Sequence, residues 1–589
     1  MSLKMHDEMI TARSVRLKKI RLAVFMLLMF AGFGAVLARL FDVQMLHYKR
    51  YVDYSKNQYY QKVVFSPTRG RILDRNMETL AMTVPMKSVF ATPTNMENKA
   101  GAAAIIAREL GMDYRSVRAR LEKKAHFAWI RRKVGDAEYE SLRSRGLRGV
   151  MFVDEDRRFY PLGGVASRVL GFCGLDNSGL AGLEYLYDKS LAGEQVTLIA
   201  QKDAAGRIFQ YPEKPPDSNF DLVSTIDVRT QYDAEKAVRR VYDRYRPKSA
   251  LVVVMEVRTG DLLAVAELPG MDSNDYASYP TSSQRPLTVT QAYEPGSTFK
   301  IFVSAAAIDS GAASPDEKFD CENGRFEMYG KTFKEAKNNK YQIMPLWDVF
   351  AKSSNIGMIK VGQKLGEKRL YESLRKFGFG ERTGVDLPGE ITGTLRPYQS
   401  WSGSSLPSVS FGQEVNTTPI QLVAALSAIG NGGTSVRPHL MKRILKDGRV
   451  VGEHSAPEPK RVVSRSAAEQ VIRMMRYAVT NGTGKMAAIP GYDIAGKTGT
   501  AQKFDNERRV YMSDRAISSF AALFPANAPE YALLVVVDEP MGAGWGGEVA
   551  APVARDVIEA MTRRNGVPAE GQLKYVVDWK NFRAAAAYE

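Results

Sequence analysis

Three short motifs carry the residue types that acyl transfer to a serine requires. Ser297 and Lys300 lie three residues apart in Glu-Pro-Gly-Ser-Thr-Phe-Lys, Ser353 and Asn355 lie in Lys-Ser-Ser-Asn, and Lys497 opens Lys-Thr-Gly-Thr. A serine hydroxyl is a weak nucleophile until a nearby base takes its proton, and a neutral lysine amine can be that base. The three motifs together therefore predict a serine acyltransferase.

The first motif is predicted to lie at the start of a buried helix. A Pro-Gly turn signal precedes Ser297, and the apolar run from Phe299 to Ile308 follows it. Residues three apart share one face of a helix, so Ser297 and Lys300 can meet one turn apart. The helix dipole, burial and a second cation from Lys497 would each lower the pKa of Lys300, which makes it a candidate general base.

The other two motifs also admit simpler interpretations. The second precedes an apolar helical pattern, and an ordinary serine N-cap would give the same sequence. The third begins a strand-like segment, for which the simpler interpretation is a surface strand with a tight bend. In that segment Gly499 lets a ligand backbone approach closely, and Lys497 with Thr498 or Thr500 offers a cation and hydroxyls to a carboxylate. Strand pairing would hold an extended peptide there.

In this order and at these separations, S-x-x-K, S-x-N and K-T-G resemble the motifs of penicillin-binding proteins and serine β-lactamases. The resemblance implies a role for each motif residue: acylated nucleophile for Ser297, proton acceptor for Lys300, proton relay to the leaving group for Ser353, binding of the substrate amide for Asn355, and binding of the terminal carboxylate for Lys497 and Thr498. It also implies that the backbone N–H groups of Ser297 and Thr500 form the oxyanion hole.

An uncharged apolar segment from Leu22 to Ala38 follows a cluster of basic residues. Two further apolar residues extend it if Arg39 snorkels, which gives the length needed for a hydrocarbon core of ~30 Å. We predict a retained signal anchor at 22–42, with a cytoplasmic tail at 1–21 and the remainder exported. A cleaved signal peptide is the alternative, but the apolar core is longer than usual and no A-x-A site follows it.

Residues 43–245 resemble the pedestal, or dimerisation-type, domain of class B penicillin-binding proteins. The sequence R-G-R-I-L-D-R-N at 69–76 resembles its opening motif, with Met77 where glycine is common, and G-L-A-G-L-E at 179–184 resembles a later one. We expect Met77 to alter one turn. The charged residues of these motifs are interpreted as a structural salt-bridge network rather than as catalytic groups: Arg69, Arg71, Asp74 and Glu184.

The expected fold class is α+β, with an antiparallel sheet and helices on both sides in a transpeptidase domain at 246–565. Two hairpins are predicted, one from Leu251 to Ala266 and one from Ile517 to Val537, and the helix Ala551 to Arg564 should pack on the sheet. The segment Lys202 to Asn219 is rich in proline and is expected to be exposed. Residues 566–589 are expected to be a C-terminal extension of little order.

The resemblance implies a membrane-anchored peptidoglycan D,D-transpeptidase of class B that acts on stem peptides ending in D-Ala-D-Ala and is acylated by β-lactams. Four segments resemble the division-type, FtsI-like branch: K-T-G-T at 497–500, V-D-E-P at 537–540, G-G-E-V-A-A-P-V at 546–553 and S-F-G-Q at 410–413. An elongation-type enzyme is the alternative. By analogy, a SEDS-type glycan polymerase and division-complex proteins would be partners, in the cytoplasmic membrane of a bacterium. A D,D-carboxypeptidase, a β-lactamase and a non-catalytic β-lactam sensor or scaffold remain as rivals.

Composition and charge argue against nucleic-acid binding and against a metal site. The 82 basic and 65 acidic residues give a net charge of +17, but an exported chain would meet anionic lipids or wall polymers rather than nucleic acid. The five histidines lack metal-ligand spacing, so we expect neither a metal nor a cofactor. Whether Cys173 and Cys321 pair is left open by the sequence.

Overall fold

The computed structural model describes residues 2–65, 67–202, 208–210, 219–455, 457–505, 507–508, 510–542 and 545–565. They form two compact units, Met1–Pro67 with Glu194–Asp217 and Thr68–Gly193 with Ser218–Glu589. The helices are α1 Ser2–Phe41, α2 Tyr48–Tyr59, α3 Lys99–Glu109, α4 Tyr114–Leu121, α5 Asp136–Ser144, α6 Ser167–Leu170, α7 Gly182–Leu186, α8 Asp188–Ala192, α9 Val228–Tyr245, α10 Leu287–Thr290, α11 Lys300–Asp309, α12 Leu346–Ala351, α13 Asn355–Leu365, α14 Glu367–Lys376, α15 Ser405–Ser410, α16 Pro419–Gly430, α17 Arg465–Thr480 and α18 Gly546–Asn565. The strands are β1 Tyr60–Phe65, β2 Ile72–Leu73, β3 Thr79–Ala91, β4 Ala128–Val134, β5 Val150–Phe159, β6 Val196–Lys202, β7 Ile208–Gln210, β8 Asp221–Ser224, β9 Ser249–Glu256, β10 Leu262–Leu268, β11 Lys318–Asp320, β12 Arg325–Met328, β13 Lys331–Lys334, β14 Ile343–Pro345, β15 Thr434–Ser435, β16 Met441–Lys446, β17 Arg449–Glu453, β18 Lys460–Arg461, β19 Ala495–Asp505, β20 Val510–Phe524 and β21 Tyr531–Asp538.

The first unit contains the predicted membrane anchor. Helix α1 runs without interruption for 40 residues, and its apolar side chains from Leu22 onward are exposed. Among the described residues, the helical stretch Ser14–Leu46 is the one that is long and apolar enough to cross a membrane. The predicted anchor at 22–42 lies within this stretch. The same unit also holds a small antiparallel sheet of order β1-β6-β7.

The second unit contains a five-stranded antiparallel sheet of order β10-β9-β21-β20-β19. Successive side chains of a strand point to opposite faces, so Leu251 and Val253 of β9 enter one core while Ala250 and Val252 enter another. Helices α9 and α18 cover one face, and α16 and α17 cover the other. The predicted α+β fold with helices on both sides of an antiparallel sheet, including both hairpins and the last helix, is confirmed.

The helix predicted to follow the first motif is confirmed as well. A 3₁₀ turn at Gly296–Phe299 continues directly into α11, which ends at Asp309 before Gly311 in a left-handed conformation with φ +69°. Eight of the ten residues of α11 are buried. A helix surrounded by core on every side is held rigidly, so the side chains at its start are fixed in position.

The segment that resembles a pedestal builds a second sheet, of order β17-β16-β8-β2-β3-β4, with β5 also paired to β3. Strand β2 runs parallel to β8, while the other pairs are antiparallel. Helices α3, α4 and α5 pack with β3 and β4 around a separate small core. Strands β2 to β5 and β8, which precede the five-stranded sheet in sequence, therefore meet β16 and β17, which lie in sequence between its strands β10 and β19.

Three of the four charged residues predicted to form a salt-bridge network, Arg69, Arg71 and Glu184, form ion pairs, whereas Asp74 accepts hydrogen bonds in a turn. Arg69 and Arg158 both pair with the fully buried Glu184, at 2.7 Å and 2.6 Å. Arg71 pairs with Asp221 at 2.7 Å on the more exposed side of the sheet. A buried carboxylate with two guanidinium partners is costly to disrupt, because removing one partner leaves an uncompensated charge.

The two cysteines do not form a disulfide with each other in the structure. Both are buried free thiols. Cys173 Sγ lies 3.3 Å from a carboxylate oxygen of Glu184, and Cys321 Sγ lies 3.4 Å from Ser354 Oγ. The sequence left open whether Cys173 and Cys321 pair, and in the structure they are two separate thiols. The predicted C-terminal extension at 566–589 and most of the predicted exposed segment lie outside the described residues.

Met77 lies in a turn that favours glycine. Asp74 accepts hydrogen bonds from the backbone N–H groups of Asn76 at 2.7 Å and Glu78 at 2.9 Å, and this closes the turn. Met77 has φ +71°, and its side chain is exposed. An L-residue in this left-handed region costs about 1–2 kcal/mol. The turn therefore has a conformation that glycine adopts without strain and that methionine adopts only at an energetic cost.

We expect Met77→Gly to stabilise the protein by about 1 kcal/mol, because relief of strain outweighs the extra entropy of glycine in the unfolded chain. The measurement is the thermal unfolding midpoint of the full chain in detergent, which should rise. Met77→Ala is the matched control, since it removes the side chain but keeps the Cβ atom. An equal rise in both variants would contradict the assignment of the strain to φ.

Candidate active site

The three predicted motifs meet around one cleft of about 490 Å³. Five of the predicted residues line it: Ser297, Ser353, Asn355, Thr498 and Thr500. The rest of the lining comes from the segment after β13, the first residue of the second motif, the loop after α17 and the start of α18: Ala336, Lys337, Asn339, Tyr341, Lys352, Asn481, Gly482, Thr483, Met486, Trp545, Gly546, Gly547 and Glu548. The lysines of the motifs, Lys300 and Lys497, lie beneath this surface and are fully buried.

Lys300 reaches from the start of α11 to the second motif. Its Nζ atom donates to the backbone oxygen of Ser353 at 2.7 Å and to Asn355 Oδ1 at 2.9 Å, and it lies 3.3 Å from Ser353 Oγ. A further acceptor is the backbone oxygen of Ser354 at 3.2 Å. Among the described residues, Ser297 Oγ is not one of the hydrogen-bond partners of Lys300. Catalytic hydrogen bonds are often long before substrate binds, so this does not remove Lys300 as the base.

Lys497 approaches the same serine from β19. Its Nζ atom donates to Ser353 Oγ at 2.9 Å and to the backbone oxygen of Thr498 at 3.1 Å. The hydroxyl of Ser353 thus lies within hydrogen-bond distance of both lysines. A hydroxyl can donate and accept at once, so this geometry provides a route for a proton between the two amines.

Burial changes the acid–base properties of both lysines. Loss of hydration lowers the pKa of Lys300 to about 7, and the charges of Glu335 and Cys321 act in the opposite direction. The pKa of Lys497 is also lowered well below its ordinary value, by burial and then by the neighbouring Lys300 charge. Burial therefore acts on Lys300 as predicted, whereas the repulsion between the two cations acts on Lys497.

The second motif is not an ordinary serine N-cap at Ser353. The capping residue of α13 is Ser354, whose hydroxyl accepts a hydrogen bond from Gly357 N–H at 3.0 Å. Ser353 precedes it in a left-handed conformation with φ +61°. Such backbone strain costs about 1–3 kcal/mol and is found where the surrounding structure enforces it, often at functional sites. Here it directs the Ser353 hydroxyl toward the lysines instead of the helix.

The third motif lies on β19, the edge strand of the five-stranded sheet. A Cβ atom added at Gly499 would lie 2.9 Å from Thr298 Cγ2 and 3.1 Å from the backbone oxygen of Pro295. Only glycine lets the turn before Ser297 pack this closely on the strand. The free edge of a strand can pair with an extended peptide, as the sequence predicted.

Other residues of the site were missed by sequence reasoning. Thr483 Oγ1 lies 2.6 Å from Thr498 Oγ1, and the N–H of Gly546 donates to Thr500 Oγ1 at 3.0 Å. Both contacts orient threonine hydroxyls of the third motif. They come from a loop and from the start of α18, which are distant in sequence and belong to none of the three motifs. The Gly-Gly pair at 546–547 is the only local signal of a close backbone approach there.

Comparison with known proteins gives matches over most of the chain. The model of the penicillin binding protein transpeptidase domain matches residues 250–559, and that of the penicillin-binding protein dimerisation domain matches residues 64–224. Stage V sporulation protein D of Bacillus subtilis is 32% identical, over 94% of this chain and 88% of that protein. Peptidoglycan D,D-transpeptidase FtsI of Escherichia coli K12 is 31% identical, over 85% of this chain and 84% of that protein. The crystal structure of penicillin binding protein 3 from Mycobacterium tuberculosis complexed with ampicillin has 29% identity and a TM-score of 0.69, covering 86% of this chain and 98% of that one.

The chain therefore belongs to the penicillin-binding protein transpeptidase family, and it is a class B member with a dimerisation domain before the catalytic domain. It is a serine-type acyltransferase of peptidoglycan synthesis that is anchored to a membrane, as the motifs and the apolar helix predicted. The two matched regions fall inside the ranges predicted from the sequence for the pedestal, 43–245, and for the transpeptidase domain, 246–565.

We expect acylation by a penicillin to depend on one group with a pKa near 7. Lys300 accepts a proton only when neutral, so the second-order rate constant should rise about tenfold per pH unit below 7 and level off above it. The measurement is the labelling rate with a fluorescent penicillin between pH 5.5 and 8.5. Samples returned to pH 7.5 before labelling control for acid damage, and a flat profile would contradict the role of Lys300.

Proposed function

We propose that the chain cross-links peptidoglycan stem peptides through an acyl-enzyme on Ser297. The observation that carries the proposal is the position of Ser353 Oγ, 3.3 Å from Lys300 Nζ and 2.9 Å from Lys497 Nζ, beside a cleft that Ser297 lines. Ser297 attacks the carbonyl carbon of the penultimate D-Ala, and the terminal D-Ala leaves as an amine. An amine of a neighbouring stem peptide then takes the acyl group and restores the serine.

The proton transfers are assigned to Lys300 and Ser353. Lys300 accepts the proton of the Ser297 hydroxyl as the new ester bond forms, and Ser353 passes a proton to the departing D-Ala nitrogen. The backbone N–H groups of Ser297 and Thr500 hold the negative oxygen of the tetrahedral intermediate. This is supported by the packing of the turn before Ser297 against β19, which brings the two backbone segments together.

The substrate is held by groups on both sides of the cleft. Lys497 and Thr498 bind the carboxylate of the terminal D-Ala, and Asn355 binds an amide of the stem peptide. The backbone of β19 at Gly499 and Thr500 pairs with the extended peptide, which is supported by the position of β19 at the sheet edge. A β-lactam would present its carboxylate and its reactive carbonyl to the same groups and acylate Ser297.

The anchor and the cellular role complete the proposal. A cytoplasmic tail at 1–21 and a membrane span at 22–42 place the pedestal and the catalytic domain outside the cytoplasm, in agreement with the basic residues before the span. We place the enzyme in septal wall synthesis, because one of its relatives is named FtsI and the sequence details favour that branch. A SEDS-type glycan polymerase and division proteins would then be its partners.

Mass spectrometry of the intact full chain in detergent, after incubation with benzylpenicillin, tests the nucleophile. We expect one adduct on the wild type and none on Ser297→Ala. Ser466→Ala, which removes an exposed serine of α17 outside the cleft, is the matched control and should form the adduct like the wild type. An adduct that persists on Ser297→Ala would overturn the assignment, and rapid loss of the adduct from the wild type would indicate a β-lactamase.

A second assay separates transfer from hydrolysis. A synthetic stem pentapeptide ending in D-Ala-D-Ala is incubated with a labelled D-amino acid as acceptor amine. A transpeptidase should incorporate the label in place of the terminal D-Ala, while a carboxypeptidase would release D-Ala without incorporation.

A further inference from the structure

Glu335, the residue directly after β13, is a buried carboxylate that contacts the start of α13 and belongs to none of the three motifs. It is 4% exposed. One carboxylate oxygen, Oε2, accepts the N–H of Asn355 at 2.7 Å. The other, Oε1, accepts the N–H of Ile356 at 3.2 Å and the hydroxyl of Ser354. All three donors belong to the second motif or to the first turn of the helix that follows it.

The neighbouring residue fixes the side chain of the same motif. The backbone oxygen of Lys334 accepts a hydrogen bond from Asn355 Nδ2 at 3.1 Å. This orients the amide so that Asn355 Oδ1 faces Lys300 Nζ, at 2.9 Å. Residues 334 and 335 therefore hold both the backbone and the side chain of Asn355. The contact of Asn355 with Lys300 depends on this segment.

Glu335 also places negative charge near the buried Lys300. The other titratable groups around it are Cys321, whose thiol lies 3.4 Å from Ser354 Oγ, and Tyr341, whose pKa is raised by burial and then by the charge of Glu335. Burial lowers the pKa of Lys300 to about 7, and Glu335 is the largest of the charges that oppose this fall. A base works best when its pKa is near the working pH, so this charge matters for proton transfer.

We propose that Glu335 is a positioning residue for acylation: its carboxylate holds Ser354 and Asn355 in the conformation that presents Ser353 and Asn355 to Lys300, and it supplies negative charge near the buried Lys300. The inference rests on the roles proposed for Ser297 and Lys300. The positioning effect and the charge effect of Glu335 change different features of the pH–rate profile. Position sets the maximal acylation rate at high pH, whereas charge sets the pH at which the rate falls.

Glu335→Gln tests the charge. The amide keeps the size of the side chain but replaces one acceptor by a donor, so one of the three contacts is lost. We expect the maximal rate of labelling with a fluorescent penicillin to fall about tenfold. We also expect the acid limb of the pH profile to move toward lower pH, because the charge that raises the pKa of Lys300 is gone. A lower maximum with an unmoved limb would show a structural role alone and would overturn the proposed charge effect.

Glu335→Asp tests the positioning role separately, because aspartate retains the negative charge. It also provides a test if Glu335→Gln does not fold. The shorter side chain withdraws the carboxylate from Asn355 and Ser354. We expect a maximal rate at least about tenfold lower with the acid limb close to that of the wild type. A wild-type maximal rate in this variant would overturn the positioning role.

Glu327→Gln is the matched control. Glu327 lies on β12, is exposed and pairs with the exposed Arg325, so its loss should change neither the maximal rate nor the limb. Thermal unfolding of each full-chain variant shows whether it is folded. Failure of the proposed function would look different, because the wild type would then carry no Ser297 adduct at any pH.

Discussion

The active site depends on the burial of two lysines within hydrogen-bond distance of one serine hydroxyl. Lys300 and Lys497 are both fully buried, and Ser353 lies between them. Removing an ammonium ion from water costs several kcal/mol, and two adjacent cations repel each other as well. Both effects favour the neutral amines. A chain that buries these side chains therefore obtains bases at neutral pH without a histidine.

That arrangement requires a rigid frame, which the fold provides. Helix α11 is enclosed by core on nearly every side, and β19 is tied to the sheet through its pairing with β20. The strained conformation of Ser353, which costs about 1–3 kcal/mol, persists because α13 and Glu335 hold the residues after it. Apolar packing on the two faces of the sheet thus offsets the free-energy cost of burying the two lysines and of holding Ser353 in a left-handed conformation.

The sequence predicts the candidate catalytic residues better than the residues that hold them in position. Lys300 and Lys497 lie in short local motifs, and helix and strand periodicity placed these motifs on elements that the structure confirms. Glu335 and Thr483 act through contacts across loops, and the chain around them has no periodicity or spacing that would mark them. The conformation of Ser353 was also beyond prediction, because a left-handed serine is imposed by tertiary packing rather than by its own preference.

The shared hydroxyl of Ser353 also bears on the choice between amine and water as acceptor. In the proposed mechanism the departing D-Ala amine receives its proton from Ser353, and the incoming amine must lose a proton at the same place. Acylation and its reversal by an amine are the same reaction in opposite directions, so one relay through Lys300, Ser353 and Lys497 serves both. Water could lose its proton to the same relay. The choice between transfer and hydrolysis is therefore set by which nucleophile reaches the acyl-enzyme, rather than by these three groups.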